Sequence, residues 1–248
     1  MTRRRWIADE VVGNTAALLG DHALHLSRVL RARVGQEFDI SIAADGHSEI
    51  RRGTITAISD HRVEFALGNQ IDKSSDSISQ ITLLLAIFKF DRMEWAIEKC
   101  TEIGVGRIIP LIARRSDAHL VAASAKRVER WQRIAREAAE QSRRAAPPEI
   151  MLPVKLRDLD QALPTASTIR VVLAETPAES QEARLTEVLQ SSSTGEAALA
   201  IGPEGGWTED ELTWFREAGW IAASLGPTIL RAETAAIVAS ALAIDALS

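Results

Sequence analysis

Cysteine and long apolar runs are both scarce in this chain. A single cysteine, Cys100, excludes an internal disulfide framework and fits a reducing compartment. The arginine-rich start, residues 1–6, has no apolar segment behind it, so we expect no signal peptide. The longest uncharged apolar runs, such as residues 235–244, are too short to span a bilayer. We therefore expect a cytoplasmic protein without a membrane partner.

The charge of the chain is unevenly distributed. Its 248 residues are enough for one large domain or two small ones, and the net charge is −5. Residues 1–150 carry 23 Lys/Arg and 20 Asp/Glu, whereas residues 151–248 carry 6 and 14. The basic residues of the first part are mostly arginines, some of them in adjacent clusters, and guanidinium forks match phosphate geometry. This asymmetry is compatible with nucleic-acid binding by the first part and equally with an ordinary solvated surface.

Short strands and tight turns predict a small β-rich domain, a barrel, over residues 1 to about 70. The polar, serine-rich residues 69–80 then predict a linker. His22 and His25 are three residues apart on a predicted helix, but no third ligand stands at a recognisable spacing, so we predict no metal site. The individual predictions are strands at residues 6–12, 38–42, 51–58 and 62–67, a helix at 21–32, and a hairpin turn at Asp45–Gly46.

Strands alternate with helices from Ile81 onward, which predicts an α/β domain with a mainly parallel sheet. Cys100 lies on the apolar stripe of the first of these helices, so we interpret it as a core residue. The loops after parallel strands converge at one edge of the sheet, where ligands bind. The predicted strands are 81–88, 107–113, 169–174, 197–201 and 222–225. One helix is predicted to begin at an N-cap, Asp91, and two further helices are predicted over residues 125–143 and 235–247.

Three glycines stand within the five residues Gly202–Gly206, more than a plain connection needs. Thr208 and Glu211 predict a capping box for the following helix, and Trp207 and Leu212 a hydrophobic staple. The loop matches neither the G-x-G-x-x-G pattern nor a Gly-Lys-Ser/Thr ending, and it is surrounded by acidic residues. It therefore favours a neutral or cationic ligand over a pyrophosphate.

A second Gly-Pro follows the last predicted strand and leads to Arg231 and Glu233 in uncharged surroundings. These two charges predict either a ligand site at a buried mouth or a structural ion pair that caps a helix. The helix at 235–247 has little polar face, so we expect it to be buried.

Five stretches of the chain together resemble the RsmE family, SPOUT-class methyltransferases that act on 16S ribosomal RNA. They are residues 201–212, 225–235, 89–99, 130–134 together with 137–142, and 25–31. The resemblance implies a PUA-like β-barrel for RNA over residues 1–72 and a SPOUT domain with a C-terminal trefoil knot over residues 73–248. It also implies a homodimer, S-adenosylmethionine as cofactor, and methylation of one uridine at N3 in the RNA of the small ribosomal subunit.

The resemblance also indicates the cofactor-binding loops, and the chemistry of the implied reaction suggests roles for two charged residues. We expect Arg231 to stabilise negative charge on the uracil oxygens and Glu233 to accept the proton or to orient Arg231. The expected cofactor-binding residues are Glu175, Gly202, Pro203, Glu204, Gly205, Gly206, Leu225, Gly226, Leu230 and Thr234. The expected RNA-binding residues are Arg3, Arg4, Arg5, Arg28, Arg31 and Arg92, and no metal is expected.

Two other interpretations stay open at this point. A non-catalytic, dimeric RNA-binding protein would use its glycine loops only for structure and would bind RNA without the cofactor. A nucleotide-dependent α/β enzyme is disfavoured because the phosphate-binding motifs are missing. S-adenosylmethionine carries a cationic sulfonium and no phosphate, which suits an acidic glycine loop.

Overall fold

A computed structural model describes residues 5–44, 47–72, 80–163, 168–174, 183–191 and 194–247. The chain divides into two compact units. Residues 1–78 and 136–147 form the first unit, and residues 79–135 and 148–248 form the second.

The first unit is built on a six-stranded sheet with the order β1-β4-β5-β6-β3-β2. Only β1 and β4 pair in parallel, and the other neighbours are antiparallel. Ile40 and Ile42 alternate with polar residues on β4 and are buried in the apolar core, as the period of two predicts. The strands are β1 (Trp6–Ile7), β2 (Glu10–Val12), β3 (Thr15–Leu19), β4 (Glu37–Ala44), β5 (His47–Ile58) and β6 (Arg62–Asp72).

The predicted single strand over residues 6–12 is wrong, because the chain forms two strands there, one at each end of the sheet order. The chain changes partner between them. The backbone N–H of Ala8 donates to Ser41 O at 2.9 Å, and that of Asp9 donates to Ala17 O at 2.9 Å. The two strands at the ends of the sheet order, β1 and β2, are therefore consecutive in sequence.

The predicted helix over residues 21–32 is shorter and less regular than expected. An α-helix, α1 (Gly20–Leu24), continues as a π-helical turn, His25–Val29. It ends before Arg31, whose φ of 50° is left-handed and cannot continue a helix. Farther along, β6 extends to Asp72, so the predicted linker begins later than residue 69, and residues 73–79 and the turn at Asp45–Gly46 lie outside the described residues.

The second unit contains the predicted parallel sheet. Its order is β10-β8-β7-β12-β11-β13, with β9 also paired to β8, and every pair is parallel. The strands are β7 (Ile81–Ala86), β8 (Arg107–Ile112), β9 (Glu149–Ile150), β10 (Val154–Lys155), β11 (Ile169–Leu173), β12 (Ala197–Ile201) and β13 (Ile221–Ala223).

Each face of this sheet is covered by its own apolar cluster. One cluster joins the strands to α2, α5 and α7, and the other joins them to α6 and to the 3₁₀ turn Leu156–Gln161. This coverage explains why the central strands are apolar without alternation. The helices are α2 (Phe90–Ile103), α3 (Ala118–Ser124), α4 (Val128–Gln141), α5 (Leu185–Gln190), α6 (Glu209–Glu217) and α7 (Ala232–Leu247).

Three helix starts differ from the sequence-based expectation. Asp91 does not cap α2, because the helix already begins at Phe90 after Lys89, and Asp91 lies in its first turn. A separate helix, α3, and a 3₁₀ turn precede α4. The last helix, α7, begins three residues earlier than predicted, because Arg231 O accepts the N–H of Ala235 at 2.8 Å. None of the described helices is long and apolar enough to cross a membrane.

Candidate active site

The carboxyl ends of β11, β12 and β13 lead into the three loops that the sequence predicts as the site. Because these strands are parallel neighbours, their loops start at one edge of the sheet. The loop after β12 contains Gly202–Gly206, and the loop after β13 contains Gly226–Arg231. Glu175, two residues after the end of β11, lies outside the described residues.

The glycine loop after β12 folds tightly over Trp207. The N–H of Gly206 donates to Pro203 O at 2.8 Å, and Gly206 has a left-handed φ of +69° that favours glycine. A Cβ on Gly202 would lie 3.2 Å from the Trp207 indole. The indole Nε1 donates to Leu173 O at 2.9 Å and so fastens the loop to the end of β11.

The capping box at the start of α6 is confirmed. Thr208 Oγ1 accepts the N–H of Glu211 at 3.3 Å, and Glu211 Oε2 accepts the N–H of Thr208 at 2.9 Å. The other oxygen of Glu211, Oε1, accepts the N–H of Arg114 at 2.7 Å. Trp207 and Leu212, the predicted staple, belong to the same apolar cluster. Glu211 is therefore a buried structural carboxylate that also holds the turn after β8.

Arg115 contacts the glycine loop directly, and the sequence did not identify it. Its Nη1 donates to Gly205 O at 2.8 Å and to Trp207 O at 3.1 Å. The neighbouring Ser116 Oγ donates to Ile87 O at 2.7 Å and holds the turn that carries the arginine. The only signal in the sequence was the Arg114–Arg115 pair, which suggested a basic surface.

The loop after β13 combines a glycine in a positive-φ conformation with a leucine that packs on the core. Gly226 has a φ of +126°, and a Cβ at this position would meet open space. Leu225 packs against the apolar cluster that contains α7, while Ile229 is 77% exposed. Leu230 and Thr234 are both partly buried. This loop can therefore offer both backbone groups and apolar surface to a ligand.

Arg231 and Glu233 are not together at a buried mouth, which corrects the sequence-based expectation. Arg231 is exposed, whereas Glu233 is 5% exposed in the first turn of α7. The ion-pair partner of Glu233 is Arg92, whose Nε lies 3.8 Å from Glu233 Oε1. Arg92 Nη1 also donates to Glu204 Oε1 at 2.6 Å. Glu233 Oε2 is buried without a hydrogen-bond partner.

The residues predicted to bind RNA lie in different environments. Arg92 belongs to the site just described. In the first unit, Arg5 is buried and donates to Arg143 O, which leaves little of its side chain for RNA. Arg28 forms an exposed ion pair with Asp60, and Arg31 is exposed. Arg3 and Arg4 lie outside the described residues, and the RNA-binding roles stay predictions.

The core interpretation of Cys100 is confirmed. The side chain is fully buried in the cluster between the sheet, α2 and α7. Burial raises the pKa of its thiol to about 12, against a weaker opposing effect of the hydrogen bond with Ser240. A thiol with this pKa is protonated at neutral pH and is not a nucleophile.

Comparison with known proteins identifies the family. Residues 75–244 match the model of an RNA methyltransferase domain. The chain is 32% identical to the ribosomal RNA small subunit methyltransferase E of Rickettsia conorii over 90% of its own length and 87% of the relative. The corresponding protein of Bacillus subtilis is 30% identical over 91% of this chain and 88% of the relative. The chain belongs to the ribosomal RNA small subunit methyltransferase E family.

Solved structures agree with this family assignment. The ribosomal RNA small subunit methyltransferase E from Neisseria gonorrhoeae, bound to S-adenosylmethionine, has a TM-score of 0.77 and 28% identity and covers 96% of this chain and 95% of its own. A putative methyltransferase from Legionella pneumophila, with the same bound cofactor, has a TM-score of 0.81 and 27% identity. The match covers 98% of this chain and 97% of the Legionella chain. The α/β fold with a parallel sheet is therefore that of the SPOUT methyltransferases.

Proposed function

We propose that this protein transfers a methyl group from S-adenosylmethionine to N3 of one uridine in the 16S RNA of the small ribosomal subunit. The observation that carries the proposal is the pair of glycine loops at the carboxyl edge of the parallel sheet, in a member of a ribosomal RNA methyltransferase family. Relatives with the same fold are solved with S-adenosylmethionine bound.

The chemistry of the site fits this cofactor better than a nucleotide phosphate. The N–H of Glu211, at the start of α6, already has an acceptor in Thr208, so it is not free to bind an anion. The carboxylates of Glu204 and Glu233 add negative charge beside the loop, although Arg92 offsets part of it. A cationic ligand without phosphates gains from this environment, and glycines permit its close approach to the backbone.

Two side chains of this protein can take part in removing the proton from uracil N3. When bound, S-adenosylmethionine supplies an electrophilic methyl group on a sulfonium. Uracil N3 must lose its proton as it accepts the methyl group, so a base is needed. Glu233 has a buried oxygen without a hydrogen-bond donor, and this oxygen is our choice for the acceptor of that proton. The exposed guanidinium of Arg231 can stabilise the negative charge that develops on the uracil oxygens.

The finer architecture is part of the same proposal. We assign residues 1–72 to a PUA-like RNA-binding barrel, because β1 and β2, at opposite ends of the sheet order, are joined by only two residues. We assign residues 73–248 to the SPOUT domain, with a trefoil knot at its C-terminal end. In support, the chain leaves the edge strand β13 and returns as α7 to pack on β7, β12 and α2.

We also propose that the protein acts as a homodimer in the cytoplasm. The largely uncharged helix α7 keeps apolar side chains such as Ile237 and Leu242 only partly buried, which supports a further packing partner.

The direct test is methyl transfer to RNA. Purified protein is incubated with S-adenosylmethionine carrying a tritiated methyl group and with small ribosomal subunits or 16S RNA from cells that lack the activity. We expect label in the RNA and N3-methyluridine among the nucleosides after digestion and mass spectrometry. Label on a different nucleoside would contradict the choice of N3, and RNA binding without any transfer would instead support the non-catalytic alternative.

A further inference from the structure

Arg92 stands at an unfavourable position for a cation. It is the third residue of α2, where the partial positive charge of the helix end favours carboxylates and disfavours arginine. The local helix structure therefore does not explain why an arginine occupies this position. Its partners come from distant parts of the chain: Glu204 Oε1 lies 2.6 Å from Nη1, and Glu233 Oε1 lies 3.8 Å from Nε.

The three side chains form a path from solvent into the protein. The side chain of Glu204 is 40% exposed, that of Arg92 is 32% exposed and that of Glu233 is 7% exposed. Arg92 thus joins the glycine loop after β12 to the first turn of α7. A single buried carboxylate is costly without a compensating charge, and Arg92 is the partner that the structure gives to Glu233.

We propose that Arg92 is a positioning residue that fixes the carboxylate of Glu233 and fastens it to the glycine loop, and that it does not act as an RNA contact. The inference rests on the proposed function, in which Glu233 accepts the uracil proton. Arg92 engages the Oε1 side of the carboxylate and leaves the buried Oε2 without a hydrogen bond. Oε2 therefore keeps its position for accepting a proton unused.

Arg92 also supplies the positive charge that compensates the buried carboxylate. Among the described residues, Arg92 is the charged group within ion-pair distance of Glu233, and Glu204 is the charged group next to Arg92 on its outer side. Arg231, two residues from Glu233 in the chain, is exposed.

The first experiment measures turnover in Arg92→Gln, Arg92→Lys and a control variant, Arg107→Gln, which loses an exposed ion pair with Glu149 outside the site. We expect Arg92→Gln to lower kcat by about tenfold or more and to change KM for RNA by less than about threefold. Arg92→Lys keeps the charge and should recover most of the lost kcat, while the control should match the unchanged protein.

A rise in KM for RNA with an unchanged kcat would overturn the inference. That result would make Arg92 an RNA contact, as the sequence suggested.

The second experiment does not depend on activity. The folding equilibrium constant is measured by urea unfolding for Arg92→Gln, Glu233→Gln and the double variant, each checked for native circular dichroism. If Arg92 holds Glu233, the combined loss should be smaller than the product of the single losses by about fivefold. Independent losses would overturn the inference. If the unchanged protein methylates no RNA, the proposed function fails, and this cycle alone decides whether Arg92 positions Glu233.

Discussion

Replacing Glu211 with glutamine should reveal how strongly one buried carboxylate stabilises the start of α6, next to the glycine loop Gly202–Gly206. Glu211 is 7% exposed and uses both oxygens. Oε1 accepts the N–H of Arg114 at 2.7 Å, and Oε2 accepts the N–H and the hydroxyl of Thr208, each at 2.9 Å. Glutamine has one amide oxygen and an NH₂ group in place of the second oxygen. One of the two backbone N–H groups must therefore lose its acceptor.

The expected loss follows from two contributions. A hydrogen bond to a charged group contributes about 1.5–3 kcal/mol. A negative charge in the first turn of a helix contributes about 0.3–1 kcal/mol. We therefore expect Glu211→Gln to lower the free energy of unfolding by about 2–4 kcal/mol. Glu209→Gln is the matched control, because Glu209 is exposed in the same turn and should lose only the helix-dipole contribution.

Urea unfolding monitored by tryptophan fluorescence provides the assay. Trp207, Trp214 and Trp220 surround Phe215 in the apolar cluster beneath α6, so their emission reports on this part of the second unit. A destabilisation of Glu211→Gln no larger than that of Glu209→Gln would refute the reasoning. It would mean that solvent or a rearranged backbone replaces the lost acceptor without cost.

Three further predictions concern other groups. Arg115→Ala removes two hydrogen bonds to the glycine loop and should weaken S-adenosylmethionine binding about tenfold in calorimetry, whereas Arg114→Ala, which keeps its backbone contact, should change it less than about twofold. Cys100, with its thiol pKa raised to about 12 by burial, should resist a thiol reagent at pH 8 until the protein is unfolded in urea, and reaction of the native protein would contradict this. In Asp9, burial raises the carboxyl pKa, but hydrogen bonds from His22 and the Leu19 N–H, together with Arg136, outweigh it and leave the pKa lowered. This carboxylate therefore stabilises the fold above about pH 4 and loses that contribution as the pH falls through its pKa in the folded protein. Asp9→Asn should therefore lower the free energy of unfolding in urea by about 1 kcal/mol at pH 7 and by progressively less below pH 4. A loss of stability that does not depend on pH would contradict this prediction.

Features set by residues close in sequence could be predicted from the sequence. The strand β12 and the capping box of Thr208 and Glu211 agree with the structure, because each depends on a few consecutive residues. The parallel sheet was also predictable, since uninterrupted apolar strands alternated with helices. The two glycine motifs follow β12 and β13, so both lie at the carboxyl edge of the sheet, as the alternation of strands and loops predicted.

Features set by long-range contacts could not be predicted in this way. Arg92 and Glu233 are 141 positions apart, and only the fold brings them together. The contact of Arg115 with the glycine loop likewise spans 90 positions. Two strands replace the predicted strand over residues 6–12 because the N–H of Ala8 donates to β4 and that of Asp9 donates to β3, which are not neighbours in the sheet. The pattern of apolar and polar residues within those seven residues does not indicate that the partner strand changes.

Calorimetric titration with S-adenosylmethionine tests the central claim, that the glycine loops hold the cofactor. The unchanged protein is compared with Gly205→Val and with Thr213→Val on the exposed side of α6. A Cβ at Gly205 would already lie 3.4 Å from the Arg115 side chain, so the larger valine should displace this arginine and fill the approach to the loop. We predict saturable binding that Gly205→Val abolishes and Thr213→Val retains. Equal binding by all three proteins, with native folds shown by circular dichroism, would contradict the account.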